Sequence, residues 1–413
     1  MQSQSNQASS RIPELDGIRG LAIALVVFQH YVCDSITPGA SRIGDFIKNN
    51  FTFGGTGVDL FFVLSGFLIG GILMDNRKSD NFFKSFYIRR ACRILPLYFI
   101  VLASYALFSR LLAAHSQQPW FKWLFVSGVS WWTYATFTQS IFSTLLNGTA
   151  QTLAGWLAVT WSLAIEEQFY FIFPMVVRFT RPAWILPLCL AGIGIVPILY
   201  LVLWLYHPVF YYYLILILPV RADALLLGVA CACLFRNEFF LAGFKENRGV
   251  LYIPFALLLL GAGFMANKFN SGGYEVARDL FFYTWMALLY AVLLLIALTD
   301  RRGILASFFR LSSLRNLGMI AYGVYLFHEP VNGLLHGLFL GKDHFLGGLP
   351  DNIATLAALL GTLTLASFSW RFFEKPIIAW GHSFLYSERT PQRGNDNPTT
   401  IQTREAQGSS PEI

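Results

Sequence analysis

Charged residues are scarce in this chain. Asp, Glu, Lys and Arg make up 13% of its 413 residues, about half the share of an average soluble domain. Hydrophobic residues reach 55%, and the mean hydropathy is +0.53. A soluble fold of this length would break its apolar residues into helical or strand periods. The composition therefore excludes an ordinary soluble protein and indicates one that lives in lipid.

Polar interruptions are few, and long apolar stretches separate them. The clearest stretches are residues 183–206, 250–266, 280–299 and 353–370. Each is long enough, or nearly so, to cross a hydrocarbon core of about 30 Å at about 1.5 Å of rise per residue. We expect helices, because an open sheet edge cannot satisfy its backbone groups in lipid. The predicted fold class is an all-α integral membrane protein.

Cysteine is also infrequent, and its spacing excludes several kinds of site. The five cysteines show no paired or metal-ligand spacing outside the doublet Cys231 and Cys233, so we expect apolar packing and no redox or metal role. The net charge is +7, but the basic residues cluster in short connections between apolar stretches. Such clusters set membrane orientation and do not indicate nucleic-acid binding.

Both ends of the chain lack apolar stretches. Residues 1–11 have neither the charged start nor the cleavage site of a signal peptide, so they are predicted to be a retained cytoplasmic tail. Residues 381–413 are polar, with Pro, Gly, Asn and Thr, and are predicted to be a disordered cytoplasmic tail. One transmembrane domain is predicted over 12–380, with no second soluble domain attached.

Lys and Arg assign the connections to the two sides of the membrane. The basic connections, predicted to be cytoplasmic, are 77–93, 178–181, 236–248 and 301–315. This pattern predicts a multi-pass membrane protein with about ten helices and both termini in the cytoplasm. Three apolar runs lie between residues 94 and 179. An even number of crossings is required there, because the connections on both sides of this stretch are predicted to be cytoplasmic. Segment 120–142, rich in Trp and Tyr, is therefore interpreted as a partly embedded or interfacial element.

Two ionisable residues interrupt the first apolar stretch, residues 18–32. Arg19 and His30 stand there with ten residues between them. Burying such groups in lipid is expensive, so they are candidate site residues by default. Their spacing is close to three helical turns, which predicts one shared face, with Arg19 near the inner surface and His30 beyond mid-depth. A snorkelling arginine and an interhelical histidine hydrogen bond form the structural alternative.

Other polar residues interrupt the later apolar stretches, and each has a structural alternative. Asp59 can serve as a helix N-terminal charge, and Ser65 beside Gly66 favours close helix packing. Arg221 and Asp223 lie within an apolar run, so mutual or interhelical pairing is expected.

Glu166 and Glu167 are adjacent acids at an outward-facing helix start. Neighbouring residues on a helix point about 100° apart, so one carboxylate can face the bundle while the other faces the helix start. A carboxylate inside the bundle can pair with an arginine or act as a base.

Aromatic and basic residues complete the polar set. Tyr322 and Tyr325 share a helix face, where they can simply pack, and the same helix carries His328. Glu374 ends the last helix on the cytoplasmic side and could hold an arginine. The basic cluster consists of Arg89, Arg90 and Arg93. Topology alone can explain such a cluster, and a phosphate site for a donor such as coenzyme A is the other interpretation.

Jointly, these residues resemble the membrane acyltransferase 3 family, which includes bacterial O-acetyltransferases acting on lipopolysaccharide, capsule, peptidoglycan and antibiotic sugars. The resemblance extends over nearly the whole chain, from residue 12 to 380. The motifs that match in the family's order are Leu15-Asp16-Gly17 leading to Arg19 and His30, Gly57-Val58-Asp59, Ser65-Gly66-Phe67, Arg89-Arg90 with Arg93, Trp161-Ser162-Leu163 with Glu166 and Glu167, Arg221 with Asp223, Tyr322 with Tyr325 and His328, and Glu374 with Pro376.

The resemblance implies that the chain moves an acyl group, expected to be acetyl, from cytosolic acyl-CoA to a hydroxyl of an extracytoplasmic glycan or lipid-linked sugar. Acyl-CoA is then a substrate, and no permanently bound cofactor and no metal are expected. The implied partners are membrane lipid, the donor and the glycan acceptor. Some family members carry a C-terminal esterase-like domain, so a separate partner is expected for any second transfer step.

The mechanistic hypothesis assigns catalysis to His30 and Glu167. His30 acts as general base on the acceptor hydroxyl or accepts the acyl group itself, since the pKa of histidine lies near neutrality. Glu167 orients this histidine or pairs with Arg221. Arg19 and the cluster Arg89, Arg90 and Arg93 anchor the nucleotide end of the donor.

A multi-pass transporter of a glycan or small molecule is the main alternative function. It would also place charges at mid-depth, but the sequence has no clear inverted repeat and no matching pair of broken helices. A membrane scaffold or receptor needs no arginine cluster beside a histidine helix.

Overall fold

The computed structural model describes residues 12–37, 39, 42–50, 52–146, 153–206, 217–269 and 275–387. Most of these residues are helical and none forms a strand, which confirms the predicted all-α class. One isolated parallel bridge joins Ile36 to Leu346. The predicted N-terminal tail, 1–11, lies outside the described residues.

Helices follow one another along the described part of the chain. Their bounds are α1 Pro13–Phe28, α2 Arg42–Asn50, α3 Gly57–Asp75, α4 Phe82–Leu111, α5 Pro119–Phe125, α6 Trp131–Ala135, α7 Gln139–Leu146, α8 Thr160–Phe179, α9 Pro182–Tyr206, α10 Leu218–Leu234, α11 Glu238–Glu246, α12 Tyr252–Phe269, α13 Glu275–Thr299, α14 Ile304–Phe309, α15 Ser312–Met319, α16 Ala321–Leu340, α17 Leu349–Ser369 and α18 Lys375–His382. Short 3₁₀ turns occupy Thr52–Thr56, Ala113–His115, Gly155–Leu157 and Arg248–Leu251. π-helical turns follow α1, at Gln29–Cys33, and α17, at Trp370–Glu374.

Several of these helices can cross a membrane. By length and composition, the six candidates among the described residues are Pro13–Cys33, Gly54–Asp75, Phe82–Leu111, Pro182–Leu203, Phe281–Thr299 and Leu349–His382. A seventh arises if α10 and α11, bent by 86° at their junction, form one span. The chain is thus a multi-pass membrane protein.

The predicted ten crossings are not confirmed by this count. Helices α8 and α16 are each 20 residues long, but they carry Glu166, Glu167, His328 and Glu329. Polar residues of this kind lower the hydropathy by which a span is recognised.

Segment 120–142 forms no continuous helix. It contains α6, most of α5 and the first half of α7. These helices are short, with 7 residues in α5, 5 in α6 and 8 in α7. Trp120 and Leu124 are buried. A Cβ on Gly337 of α16 would lie 2.3 Å from the Trp120 ring, so this indole packs directly on the α16 backbone. None of these helices is long enough to cross a membrane by itself, and the partly embedded or interfacial placement of the segment stays a prediction.

Helices α3 and α10 meet backbone to backbone. A Cβ on Gly66 would lie 1.9 Å from the Leu225 carbonyl oxygen, and one on Gly228 would lie 2.0 Å from the Val63 carbonyl oxygen. This confirms the close helix packing predicted for the Ser65-Gly66 step. The contact fixes α3 against α10, and each of these helices supplies one member of a buried ion pair.

The start of the predicted disordered tail is ordered in the structure. Helix α18 runs to His382, and the following residues lie on the start of α4. Asn81 Nδ2 and Ser85 Oγ donate to the Leu385 carbonyl oxygen at 2.8 and 3.2 Å. These hydrogen bonds hold residues 383–387 on the bundle, while residues 388–413 lie outside the described residues.

Candidate active site

His30 lies on the π-helical turn that follows α1. The Asp34 amide donates to the Gln29 carbonyl oxygen at 2.8 Å, five residues back, which widens the helix by one residue. The Ser35 hydroxyl donates to the His30 carbonyl oxygen at 2.9 Å and stabilises the turn. Such turns often mark functional sites. The π-helical turn therefore changes the direction in which the His30 ring points. The regular spacing of an α-helix does not predict this direction.

His30 contacts His328 of α16 through a ring-to-ring hydrogen bond. His30 Nδ1 lies 2.8 Å from His328 Nε2. His328 Nδ1 faces the carbonyl oxygens of Tyr325 and Val324 at 2.8 and 3.2 Å. A carbonyl only accepts, so the hydrogen of neutral His328 sits on Nδ1 and its Nε2 accepts. His30 then donates from Nδ1, which leaves a lone pair on its own Nε2.

Glu329 is the carboxylate beside this histidine pair. Its Oε1 lies 3.4 Å from His30 Nδ1, and the residue is 6% exposed. A carboxylate at this position stabilises the imidazolium that forms when His30 takes up a proton. Sequence reasoning did not select Glu329. The available signal was an acid directly after His328 inside an apolar stretch, where a buried charge is expensive.

Among the described residues, one cluster has the side chains and the spacing to hold a metal ion. It consists of His30, His328 and Glu329. One ligand atom from each lies within 4.8 Å of the others. Two nitrogens bound to one tetrahedral zinc lie about 3.3 Å apart, as follows from bond lengths of about 2.0–2.1 Å. The observed separation of 2.8 Å is that of a hydrogen bond. The cluster therefore fits a shared proton better than a shared metal.

His30 and Glu329 line a cavity of about 270 Å³, here called the histidine cavity. Its lining also includes Val58, Trp161, Arg221, Phe282, Tyr283 and Tyr325. Aromatic walls with a few convergent polar groups are typical of a small-molecule site. This cavity can hold a substrate against the histidine.

A second cavity, here called the arginine cavity, adjoins the first. It has a volume of about 110 Å³, and its charged and hydroxyl-bearing lining includes Arg19, Arg90, Arg93, Ser65, Glu166, Ser162 and Tyr325. Val58 and Tyr325 line both cavities and form the wall between them. Guanidinium groups match the geometry of phosphate oxygens. The arrangement suits a phosphate-bearing ligand on one side of the wall and a second substrate on the other.

Three of the four predicted donor-binding arginines lie at the arginine cavity. Arg19 pairs with Asp16 at 3.2 Å, and its side chain is 30% exposed. Arg90 lies over the Tyr170 ring at 5.8 Å. Arg93 interacts electrostatically with Glu374, as predicted for an arginine near this acid. Glu374 also accepts a hydrogen bond from the Ser369 hydroxyl at 2.9 Å.

Arg89, the fourth predicted donor-binding arginine, is placed elsewhere. Its Nε donates to the Phe384 carbonyl oxygen at 3.0 Å, and its guanidinium lies 4.9 Å from the centre of the Tyr386 ring. The C-terminal segment after α18 thus occupies this side chain. Helix geometry explains the difference, because adjacent residues on α4 point about 100° apart.

Glu167 lies away from the histidine cavity. It lines a third cavity with Arg90, Gln168 and Tyr87, and its Oε1 has no hydrogen-bond partner. Glu166 instead faces the arginine cavity and accepts from the Ser65 hydroxyl at 2.7 Å. The two adjacent acids therefore diverge, as predicted, and neither lies beside His30. The predicted helix start is wrong, because α8 begins at Thr160 and the two acids are its seventh and eighth residues.

The expected pairing of Glu167 with Arg221 is wrong. Arg221, 2% exposed, forms its ion pair with Asp59 in the first turn of α3. Asp223 accepts from the Thr284 hydroxyl at 2.5 Å and from the Ala224 amide at 2.9 Å. The broader expectation of interhelical pairing is thus confirmed for Arg221. The partner is decided by the glycine contact that brings α3 against α10.

Tyr325 is held in place at the wall between the cavities. Its hydroxyl donates to the Val159 carbonyl oxygen at 2.9 Å and lies 2.6 Å from the Ser162 hydroxyl. Tyr322, one turn away, donates to the Ile94 carbonyl oxygen at 2.8 Å. Both tyrosines therefore do more than pack, and they tie α16 to neighbouring elements.

The fold and these two cavities define a multi-pass helical membrane protein with a buried histidine–carboxylate centre of the kind used in group transfer. A family model described as an acyltransferase domain, type 3, matches residues 12–371. The chain belongs to this acyltransferase family.

Curated relatives from three bacteria match most of the chain. It is 26% identical to the peptidoglycan O-acetyltransferase OatA of Listeria monocytogenes, over 91% of this chain and 57% of that protein. It is 28% identical to the putative peptidoglycan O-acetyltransferase YrhL of Bacillus subtilis, over 90% and 55%. It is 25% identical to the O-acetyltransferase OatA of Staphylococcus aureus, over 89% and 57%. The chain thus spans little more than half the length of these relatives. No solved structure matches it.

Proposed function

We propose that this chain is an O-acetyltransferase that moves an acetyl group from cytosolic acetyl-CoA to a hydroxyl of an extracytoplasmic glycan. Membership of the acyltransferase family and the names of the relatives support the reaction, and their peptidoglycan acceptor is our first choice of glycan. One observation carries the proposal. His30 and Glu329 of the His30–His328–Glu329 cluster line a cavity that shares the Tyr325 wall with an arginine-lined cavity.

In the proposed mechanism, His30 Nε2 removes the proton of the acceptor hydroxyl. The acceptor oxygen then attacks the thioester carbonyl carbon, the new C–O bond forms, and the C–S bond breaks. The leaving thiolate of coenzyme A takes the proton back from His30. Glu329 stabilises the intervening imidazolium, and His328 keeps the Nδ1 hydrogen of His30 turned away from the reacting atoms. If His30 instead accepts the acetyl group, the same Nε2 is the nucleophile.

Donor binding is assigned to Arg19, Arg90 and Arg93. Their guanidinium groups surround one cavity and suit the phosphates of coenzyme A. We further propose that the arginine cavity opens toward the cytosol of a bacterium whose inner membrane holds the chain with both termini inside. The charge distribution in the sequence supports this orientation.

The proposed function is tested with membranes that contain the full chain. Labelled acetyl-CoA and glycan acceptor are supplied, and acetyl ester on the glycan is measured by mass spectrometry. Ester formation that depends on both substrates is expected. Movement of glycan across the membrane without any dependence on acetyl-CoA would favour the transporter alternative instead.

Glu329 and Glu167 form a matched pair of acid variants. Glu329→Gln is expected to lower the transfer rate about 100-fold or more, because the imidazolium loses its carboxylate. Glu167→Gln is expected to change it far less, since Glu167 lies in another cavity. Rates are measured at saturating substrates and equal amounts of chain.

Combining each acid variant with His30→Ala separates the two roles. The Glu329→Gln loss should disappear in the His30→Ala background, since the two residues act together. A larger loss for Glu167→Gln than for Glu329→Gln would contradict this assignment.

The arginine cluster provides a second matched set. Arg90→Gln and Arg93→Gln are each expected to raise KM for acetyl-CoA about tenfold or more, because each removes a charge-assisted hydrogen bond to phosphate. Arg89→Gln removes the same charge outside the cavity and should leave KM nearly unchanged. Equal effects at all three positions would indicate a general surface-charge effect and not a phosphate site.

A further inference from the structure

The histidine cavity contains a charged side chain that the transfer chemistry does not use. Arg221 lines this cavity, is 2% exposed, and has no hydrogen-bond partner at Nε or Nη1. A buried donor without an acceptor costs about 1–3 kcal/mol, so native structures rarely retain one without a reason. Two such donors lie on one side chain that lines a substrate-sized cavity. They indicate that an oxygen atom of a ligand accepts hydrogen bonds from Arg221.

The charges around Arg221 determine which kind of ligand oxygen can accept a hydrogen bond from it. Its positive charge is already matched by Asp59, Asp223 lies two residues further on, and Glu329 lines the same cavity. These charged groups are one cation and three acids, and in the proposed mechanism His30 of the same cavity is neutral until it takes the acceptor proton. A further carboxylate or phosphate would meet net repulsion in a low-dielectric setting. A hydroxyl, ether or amide carbonyl oxygen can accept from Arg221 without that cost.

Other features of the cavity suit a sugar ring. Trp161, Phe282 and Tyr283 supply aromatic faces on which the C–H face of a sugar can pack. The Arg221 guanidinium lies 4.2 Å from the centre of the Tyr283 ring, which holds its donors in a fixed direction. Glu329 Oε2 has no hydrogen-bond partner and can accept from a sugar hydroxyl.

We propose that Arg221 binds the acceptor and determines its specificity. Its Nε and Nη1 hydrogens donate to uncharged oxygens of the acceptor sugar, and its ion pair with Asp59 makes the cavity select an uncharged sugar unit over an acidic one. This inference rests on the proposed function, because it concerns the acceptor of that reaction. It adds the class of sugar and the residue that recognises it.

The test measures sugar binding to the detergent-solubilised full chain by calorimetry, without donor. The probes are chitotetraose and the same oligomer with its C6 hydroxyls oxidised to carboxylates. Wild type is expected to bind chitotetraose at least about tenfold more tightly. Arg221→Met should weaken that binding about tenfold or more. Equal or tighter binding of the carboxylated oligomer, or no binding of chitotetraose, overturns the proposal.

A double variant separates recognition from stability. Arg221→Met and Asp59→Asn each leave one member of the buried pair alone, so both should lower thermal stability. Arg221→Met with Asp59→Asn removes both charges and should recover much of that stability but none of the affinity for chitotetraose. Recovery of wild-type affinity in the double variant would show a purely structural role and overturn the proposal.

Two single variants complete the experiment. Asp59→Asn keeps the Arg221 guanidinium but removes the carboxylate that neutralises it. The ratio of the two affinities should therefore shift about tenfold toward the carboxylated oligomer. An unchanged ratio would overturn the charge argument. Arg236→Met breaks the more exposed pair with Asp75 at the other end of α3 and should leave sugar affinity unchanged. Because no donor is present, retained chitotetraose binding with no acetyl transfer would refute the proposed function alone.

Discussion

Replacing His30 with alanine is expected to lower acetyl transfer by about 100-fold to 10,000-fold, the range that a positioned general base contributes. The variant removes the Nε2 lone pair that deprotonates the acceptor or takes the acetyl group. We expect no neighbouring side chain to replace it, because His328, the nearest imidazole, is fully buried and does not line the histidine cavity. The measurement is the initial rate of labelled acetyl transfer in membranes, normalised to the amount of chain.

A second buried histidine provides the control for this prediction. His336 lies on α16 like His328, with Nδ1 facing the Asn332 carbonyl oxygen at 3.0 Å, but it lines neither the histidine cavity nor the arginine cavity. His336→Ala should keep most of the transfer rate. A near wild-type rate for His30→Ala at normal amounts of chain would remove His30 from the mechanism.

Replacing Gly66 with valine is expected to prevent correct assembly of the bundle. Its Cβ alone would lie 1.9 Å from the Leu225 carbonyl oxygen, and a helix backbone cannot move aside as a flexible side chain can. We expect a loss of stability above about 3 kcal/mol, the upper end for overpacked cores. Separation of α3 from α10 would also break the Asp59–Arg221 pair. The measurement is the yield and melting temperature of chain that is monodisperse after detergent extraction.

Gly194→Val is the matched control, since nothing lies within 4 Å of a Cβ at that position on α9. It introduces the same side chain into an apolar helix without a clash. If Gly66→Val gave the same yield and melting temperature as Gly194→Val, the backbone contact between α3 and α10 would not be a determinant of the fold.

The cost of polar groups in lipid made much of this protein predictable. Long apolar stretches had to become helices, because only helices satisfy their backbone groups within each segment. The same cost singled out His30, Arg19 and Arg221, and the phosphate interpretation of the basic cluster singled out Arg90 and Arg93. All five line the two cavities. The same cost applies to Glu329, the acid directly after His328 in an apolar stretch, which is buried beside His30.

Pairing between distant segments was less predictable. Glu167 was expected beside His30 or Arg221, yet its neighbour Glu166 turns toward the arginine cavity and Glu167 faces another one. Arg89 was expected beside the donor, yet the C-terminal segment takes its hydrogen bond. In both cases a rotation of about 100° between adjacent helix positions separates the two environments. Sequence alone gives that rotation but not its absolute direction.

The sequence by itself determined the all-helical membrane class and the polar residues that must be buried with partners, since these depend on the cost of removing single groups from water. It also determined the family, because the motifs match in the family's order along the chain. Only the tertiary structure decided which partners meet. His30 contacts residues nearly 300 positions away, and Arg221 contacts an acid 162 positions away. Those contacts depend on a π-helical turn and on a glycine-mediated helix approach, both of which are properties of the packed bundle.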